Sequence, residues 1–388
     1  MADRLTVLQL LPALEGGGVE RGTLEVARAL VAADHRSLVI SAGGCLVAQL
    51  ETEGSEHIPL PVGRKHPASL LQVRPLRRLL IDEGVDIVHV RSRVPAWLLE
   101  LALRGLPSHR RPIRVSTVHG LYSVSRYSAI MTRGEAVIAV SETIHDYIRR
   151  HYPDCPPERI HLIPRGVDPA EFPRGYQPPE AWRQDFFAQF PAARDCRLLV
   201  LPGRLTRLKG HHDFIGLIGA LIAEGRPVHG LIVGGEDPRR RAYAEELRQA
   251  VRERGLGQHI SFTGARSDIR EIYAISDLVL SLSTKPESFG RTVVEALSLG
   301  IPVVGYDHGG VGEILAHLFP AGRTPLGDPD ALRYTVGAIL DDPPEIPENQ
   351  HYTLEAMTGR TLALYRTLAN RRLVLGTNRS RRGRRSHP

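Results

Sequence analysis

"DLVLSLSTKPESFGRTVVEALSLGIPVVGY", residues 277–306, reads as one complete strand–helix–strand unit. Its two ends, "DLVLSLS" (277–283) and "IPVVGY" (301–306), are apolar runs rather than alternating ones. That is the pattern of parallel strands covered on both faces. The segment between them predicts a helix over 290–299, stopped by Gly300 with Pro302 just beyond, an ordinary helix ending. The stretch also sets Glu287 before the helix and Glu295 inside it. A carboxylate at a helix start is favoured by the dipole. The second, on the polar side of the helix, needs another reason.

The same unit recurs along the chain. Strands are predicted at 5–11, 37–41, 85–90, 113–118 and 136–141, with helices at 19–33, 69–83 and 142–150 among them. A second set of strands follows at 197–203, 229–235, 260–264, 277–283 and 301–306. Two runs of strand–helix alternation predict two doubly wound, Rossmann-like α/β domains with parallel sheets, facing a cleft. At 388 residues the chain is too long for one ordinary core. "IPRGVDPAEFPRGYQPPE" (163–180) is rich in proline and glycine and has linker chemistry. The expected division is therefore 1–170, 171–349, a last helical stretch at 350–370 and a basic, disordered tail at 371–388.

Composition excludes several classes. Hydrophobic content of 42% with 24% charge is that of a globular protein. The net charge of +7 resides in residues 371–388, which hold seven arginines and no acid, so the body is near neutral. A body without a basic, aromatic-studded face argues against nucleic acid as partner. The tail reads as a solvated end, or as a peripheral contact with anionic membrane, where each basic residue contributes about 1 kcal/mol. Cys45, Cys155 and Cys196 form no metal or redox motif and point to a reducing compartment. The run at 5–11 follows Asp3 and Arg4 without a cleavage site and reads as a strand. No stretch reaches the ~18 apolar residues of a membrane span. The expected location is cytoplasmic.

Ligands of such sheets sit beyond the carboxyl ends of the strands, and several candidates lie there. "EGGGVERG" (15–22) brings Gly17 and Gly18 to a helix start. It fails the dinucleotide fingerprint, because the last glycine falls one place late. Backbone amides there could meet an anion, and a plain strand-to-helix turn accounts for it equally. "PGRLTRLKG" (202–210) offers Arg204 and Lys209, a fork and a point charge suited to a diphosphate or a solvated basic loop. "TVHG" (117–120) ends a strand with His119, and "HVRSRVPAW" (89–97) offers His89, Arg91 and Arg93. "GDPDAL" (327–332) could pass for a metal site, but Asp328 before Pro329 is an N-cap signature. Around Glu287 and Glu295, carboxylates suit vicinal hydroxyls, and a helix start at Phe289, Gly290 and Arg291 suits a phosphate. A sugar, a diphosphate and a ribose in one ligand would occupy both glutamates. That ligand is a nucleotide-sugar.

Taken together, the Glu287-x7-Glu295 pair, "GRLTRLKG", "TVHG", "IPRGVDP" and "GGGVERGTLEVARAL" resemble glycosyltransferase family 4, retaining enzymes of the two-domain GT-B architecture. The resemblance spans residues 5–365. It implies that the second domain binds the nucleotide-sugar, that the first shapes the acceptor site, and that residues 350–370 return to the first domain. It implies no cofactor and no metal. Residue by residue it gives Glu287 the donor sugar and Glu295 the ribose. Arg204 and Lys209 take the diphosphate with amides near Gly17 and Gly18, and His119 the reacting face. Arg165 departs from the asparagine common at its position. "GGGVERGTLEVARAL" and "HGLYSVSRYSAIMTRGEAVIAVSE" resemble bacterial members that build lipopolysaccharide or surface glycans, which implies a glycan or lipid-linked acceptor. A nucleotide-sugar epimerase or hydrolase on the same fold is the alternative, and a nucleic-acid binder using the tail a more distant one.

Overall fold

Val88, Val90, Val115, Val137 and Ala139 are wholly enclosed, as unbroken apolar strands must be when helices cover both faces of a sheet. A computed structural model describes residues 4–236 and 241–383 of the chain, with 373–383 as backbone alone. Residues up to Arg165 together with those from Leu354 onward form one unit, and Gly166–Thr353 the other. The chain thus divides a few residues away from the expected 170/171 and 349/350.

The first unit carries β1 (Thr6–Leu10), β2 (Arg36–Ser41), β3 (Glu56–Pro59), β4 (Ile87–Val90), β5 (Ile113–Val118), β6 (Ala136–Ala139) and β7 (Ile160–Leu162). They form a parallel sheet in the order β3-β2-β1-β4-β5-β6-β7. The second unit carries β8 (Arg197–Pro202), β9 (Val228–Val233), β10 (Ile260–Gly264), β11 (Leu278–Ser281), β12 (Val303–Tyr306) and β13 (Arg323–Thr324). Their order is β10-β9-β8-β11-β12-β13, again parallel. Both units are α/β and doubly wound.

One face of the first sheet is covered by helix Gly18–Ala32, through Val26 and Leu30, and by the helix that begins at Leu354. From the latter, Met357, Leu362, Leu364, Tyr365 and Leu368 are buried with Leu5, Val7, Ile87 and Val115. Burying the four aliphatic side chains of that set contributes roughly 6–12 kcal/mol before the entropy of ordering the helix. Helices Val73–Asp82 and Arg93–Arg104 cover the opposite face through Leu76, Leu80, Leu98 and Leu99. In the second unit a single cluster joins Phe214 and Ile218 of helix His211–Ala223 with Val293, Val294 and Leu297 of helix Arg291–Leu299.

Three strands escape the sequence reading: β3, β7 and β13. They have four, three and two residues, too short to show an apolar run, and all three lie at sheet edges or next to them. The helix expected at 69–83 is a 3₁₀ turn at Pro67–Gln72 followed by Val73–Asp82. Pro75 explains this, since proline is tolerated only in the first turn of an α-helix. The expected disordered tail is also corrected. The last helix runs unbroken from Leu354 to Gly383, because leucine and arginine are strong helix formers and no proline intervenes before Pro388. Residues 384–388 lie outside the described residues. Among the described residues no helix is long and apolar enough to cross a membrane.

Gly210 pins the second unit's central loop. Its φ is +71°, and a Cβ there would lie 2.0 Å from the carbonyl oxygen of Leu282. Gly225 has a similar φ of +77° but faces open space. Gly225→Ala should therefore cost only the left-handed penalty, about 1–2 kcal/mol. Gly210→Ala should cost clearly more and lower the Tm further in a thermal melt. Equal drops would show that the Leu282 carbonyl does not constrain this position.

Candidate active site

In the second sheet the strand order reverses between β8 and β11, which pair through Leu199 and Leu278. The connections leaving these two strands diverge at their carboxyl ends, where ligands of such sheets bind. The two loops are tied together, since Thr284 N donates to the Leu208 carbonyl at 2.8 Å. Between them, Lys209 Nζ donates to Glu287 Oε1 at 2.6 Å. Ser283 Oγ donates to the same oxygen. His308 Nε2 meets the Ser283 carbonyl at 2.7 Å, and Gly310 N donates to the Glu287 carbonyl at 2.8 Å. The Glu287 carboxylate is thus held through one oxygen, while Oε2 makes no hydrogen bond to a described residue. Lys209 and Glu287 are each about a quarter exposed (29% and 26%), so the pair is open to a ligand.

The helix that follows starts at Arg291, with Gly290 as its N-cap and no side-chain cap over its amides. Glu295 is buried, at 4% exposure, and accepts from Arg291 Nε at 3.1 Å. Arg291 is thereby turned along the helix toward Glu295. Phe289 packs edge-on against Tyr352, ring centroids 5.7 Å apart, as a core side chain. Arg204 is exposed and makes no ion pair with a described residue. Lys209, Glu287 and the start at Gly290 are therefore brought together, with Glu295 one layer deeper.

In the first sheet the order reverses between β1 and β4. Gly17, with φ +145°, caps helix Gly18–Ala32 at the end of the β1 connection. Arg165, beyond β7, donates to the Gly18 carbonyl and, through Nη2, meets His119 Nδ1 at 2.5 Å. Arginine only donates, so Nδ1 is the acceptor and the neutral ring carries its proton on Nε2. That Nε2 is buried and has no hydrogen-bond partner among the described residues. Burial first, then the Arg165 and Arg91 charges and His89, holds the His119 pKa well below the ordinary value. His119 is thus a neutral donor beside a glycine turn.

His89 and Arg91 do not reach the surface. His89 is 1% exposed, held by Tyr365 Oη and Thr117 Oγ1, each at 2.6 Å. Arg91 is enclosed and donates through Nε to Gln9 Oε1 at 3.1 Å. His89 is an internal strut, as a buried polar group with full partners usually is, and Arg91 is enclosed beside it. Arg93 lies over the rings of Tyr122 and Tyr127, 4.7 and 5.5 Å from their centroids. Asp328 Oδ1 accepts from Ala331 N at 2.9 Å and caps helix Pro329–Asp341. Two residues escaped the sequence reading. Ser283, four places before Glu287, gave no signal beyond its spacing. Arg165 stands out in the sequence only as a departure, because β7, whose end it follows, is too short to show an apolar run.

Two family profiles match the chain: Glycosyltransferase Family 4 over residues 16–171 and Glycosyl transferases group 1 over residues 183–356. D-inositol 3-phosphate glycosyltransferase of Jonesia denitrificans is 31% identical over 167 residues, 42% of this chain and 38% of that protein. The chain thus aligns with well under half the length of that relative. Phosphatidyl-myo-inositol mannosyltransferase of Mycolicibacterium smegmatis is 25% identical over 341 residues, 84% of this chain and 82% of that one. Among solved structures, a glycosyltransferase from Rickettsia africae is similar with a TM-score of 0.83, 28% identity and coverage of 94% and 98%. The Anabaena protein HepE, solved with UDP-glucose, shares the fold at a TM-score of 0.71 and 20% identity, with coverage of 96% and 100%.

The Arg165 contact sets a testable electrostatic balance. A histidine whose folded pKa lies below its unfolded value stabilises the fold above the unfolded pKa and loses that contribution as pH falls. Removing Arg165 removes the second-largest cause of the depression and leaves burial, the largest. In Arg165→Ala the titration midpoint of the His119 ring, read by NMR, should rise but stay below the ordinary histidine value. An unchanged midpoint would show that burial, with Arg91 and His89, keeps the ring neutral without Arg165.

Proposed function

The chain belongs to glycosyltransferase family 4, and on that premise we propose that it moves a sugar from a nucleotide-sugar donor to a glycan or lipid-linked acceptor. The anomeric configuration is retained, and the product belongs to bacterial lipopolysaccharide or another surface glycan. The observation that carries this reading is the Lys209–Glu287–Ser283 cluster at the β8/β11 reversal. It sets a half-open carboxylate and a cation beside an uncapped helix start. The UDP-glucose in the Anabaena structure supports a nucleoside-diphosphate sugar as donor.

In this reading Glu287 Oε2 accepts from a hydroxyl of the transferred sugar, with Lys209 and Ser283 fixing the other oxygen. Arg204, Lys209 and the amides beyond Gly290 neutralise the diphosphate as its bond to the anomeric carbon breaks. The acceptor hydroxyl forms the new bond on the same face, and its proton passes to the departing phosphate. Glu295 accepts from the ribose, its carboxylate oriented by Arg291. His119 offers a neutral N–H suited to a sugar oxygen. The enzyme works in the cytoplasm, with residues 371–388 making a peripheral contact with anionic membrane.

Cationic side chains and helix amides make a metal dispensable in this scheme. Donor binding and transfer should survive EDTA, and activity lost on chelation and restored by magnesium or manganese would overturn that assignment. The two glutamates should also fail differently. Glu287→Ala should lower kcat by about 10²-fold or more, the scale of one preorganised electrostatic contact, with affinity for UDP nearly unchanged. Glu295→Ala should raise the donor KM and weaken UDP, with kcat less affected. Calorimetry with UDP on both folded variants decides it. Equal loss in both, or loss in neither, would remove the split.

A further inference from the structure

On one face of the first sheet, three strands turn from apolar to polar as they near their carboxyl ends. Alternate residues of a strand share a face. Val7, Ile87 and Val115 are buried against helix Gly18–Ala32 and the helix that begins at Leu354. On that face Gln9 follows Val7, His89 and Arg91 follow Ile87, and Thr117 and His119 follow Val115. Gln9 Nε2 donates to the Thr23 carbonyl at 2.9 Å, which leaves Gln9 Oε1 to accept from Arg91 Nε and Nη2. Arg91 is 5% exposed and forms no ion pair with a described carboxylate. Burial lowers its pKa, and Tyr365 and Glu25 oppose that from beyond ion-pair distance. A guanidinium so enclosed is rare without an anionic partner.

Beside Arg91 lies a cavity of about 20 Å³, room for a single water-sized guest. Its polar wall is His89, Arg91, Thr117, His119, Arg165 and Thr361, and no described residue lining it carries a carboxylate. His119 Nε2, which bears the ring proton, is buried at this wall. Arg165 holds the ring through Nδ1, so the direction of that N–H is set. The cavity therefore offers N–H donors and an unpaired positive charge to a guest of single-atom size. A water satisfies the donors and leaves the charge, whereas an anion meets both.

We propose that this cavity binds a monatomic anion of the halide class, held by the Arg91 guanidinium and the His119 Nε2–H. The inference stands on the first unit alone and goes beyond the transfer reading. His119 and Arg165 are only part-buried, and the anion enters past them. The single ring N–H cannot serve an anion and a sugar oxygen together. Halide therefore competes with the contact assigned to His119 above, and the resting chain keeps that donor occupied.

The test titrates chloride, then bromide, into the intact chain held in sodium gluconate at constant ionic strength, with the His119 ring followed by NMR. Its Nε2 and Hε1 resonances should move saturably with either halide and stay in place with sulfate, which is too large for the cavity. Crystals soaked in bromide should show an anomalous peak within hydrogen-bonding distance of His119 Nε2 and the Arg91 guanidinium. Arg91→Met replaces the guanidinium by an apolar chain of similar length, a change that enclosed charges often tolerate. It should weaken halide by about tenfold or more. Should that variant not fold, the bromide peak in the parent decides. Resonances unmoved by both halides, or moved equally by sulfate, would show that water fills the cavity and overturn the site. A bromide peak elsewhere, or an Arg91→Met chain that binds halide like its parent, would overturn it as well. None of these readouts uses a donor, so their failure leaves the proposed transfer standing. Halide binding by a chain indifferent to every nucleoside diphosphate would instead remove the transfer reading and keep the anion site.

Discussion

A parallel sheet brings all its carboxyl ends to one edge, and only where the strand order reverses do two neighbouring connections leave in opposite directions. That constraint organises both units. In the second it places the β8 and β11 connections side by side, so that Lys209 and Glu287, 78 residues apart in the chain, share a hydrogen bond. In the first it places the glycine turn after β1 beside the connection from β4. Neither arrangement needs an unusual backbone beyond a few glycines. The candidate site is built from side chains that the crossover rule delivers to the same place.

Electrostatics then divides the work between charged and neutral groups. Glu287 keeps a cation and a hydroxyl on one oxygen, which fixes its direction without enclosing it. Glu295 is the opposite case, a carboxylate almost removed from water with the guanidinium one turn before it as counter-charge. Removing one partner of so enclosed a pair leaves an uncompensated charge, whereas the exposed ion pairs scattered over both units contribute little each. His119 is kept neutral by burial together with the arginine that orients it, so one contact bears on both the ring's tautomer and its charge.

Much of this was legible in the residues. Long apolar runs and glycine stops mark ten of the thirteen strands among the described residues, and the strand-end rule points to Lys209, Glu287 and His119. What escaped was short, local or dependent on distant partners. β7 has three residues, so Arg165 at its end seemed an isolated departure. His89 and Arg91 looked like crevice residues because they end a strand. Their partners, Tyr365 and Gln9, lie 276 and 82 positions away, and no local pattern announces them. The inward turn of Arg291 toward Glu295 was open to anticipation from the four-residue spacing, but a helix start also favours reading that arginine as a phosphate ligand.

The Tyr365–His89 hydrogen bond has a consequence for biosynthesis. The first unit is not continuous in the chain. Its sheet is finished once residue 165 has left the ribosome, yet Met357, Leu362, Tyr365 and Leu368 arrive only after the whole second unit has been made. At translation speeds of about 5–20 residues per second that interval is roughly ten to forty seconds. During it, Val7, Ile87 and Val115 lack the helix that later covers them, and His89 is buried with one of its two partners missing. The nascent first unit therefore passes through an uncapped state with an apolar sheet face open. Chaperone demand and the yield of truncated products should be governed by that face, not by the residues of the candidate site.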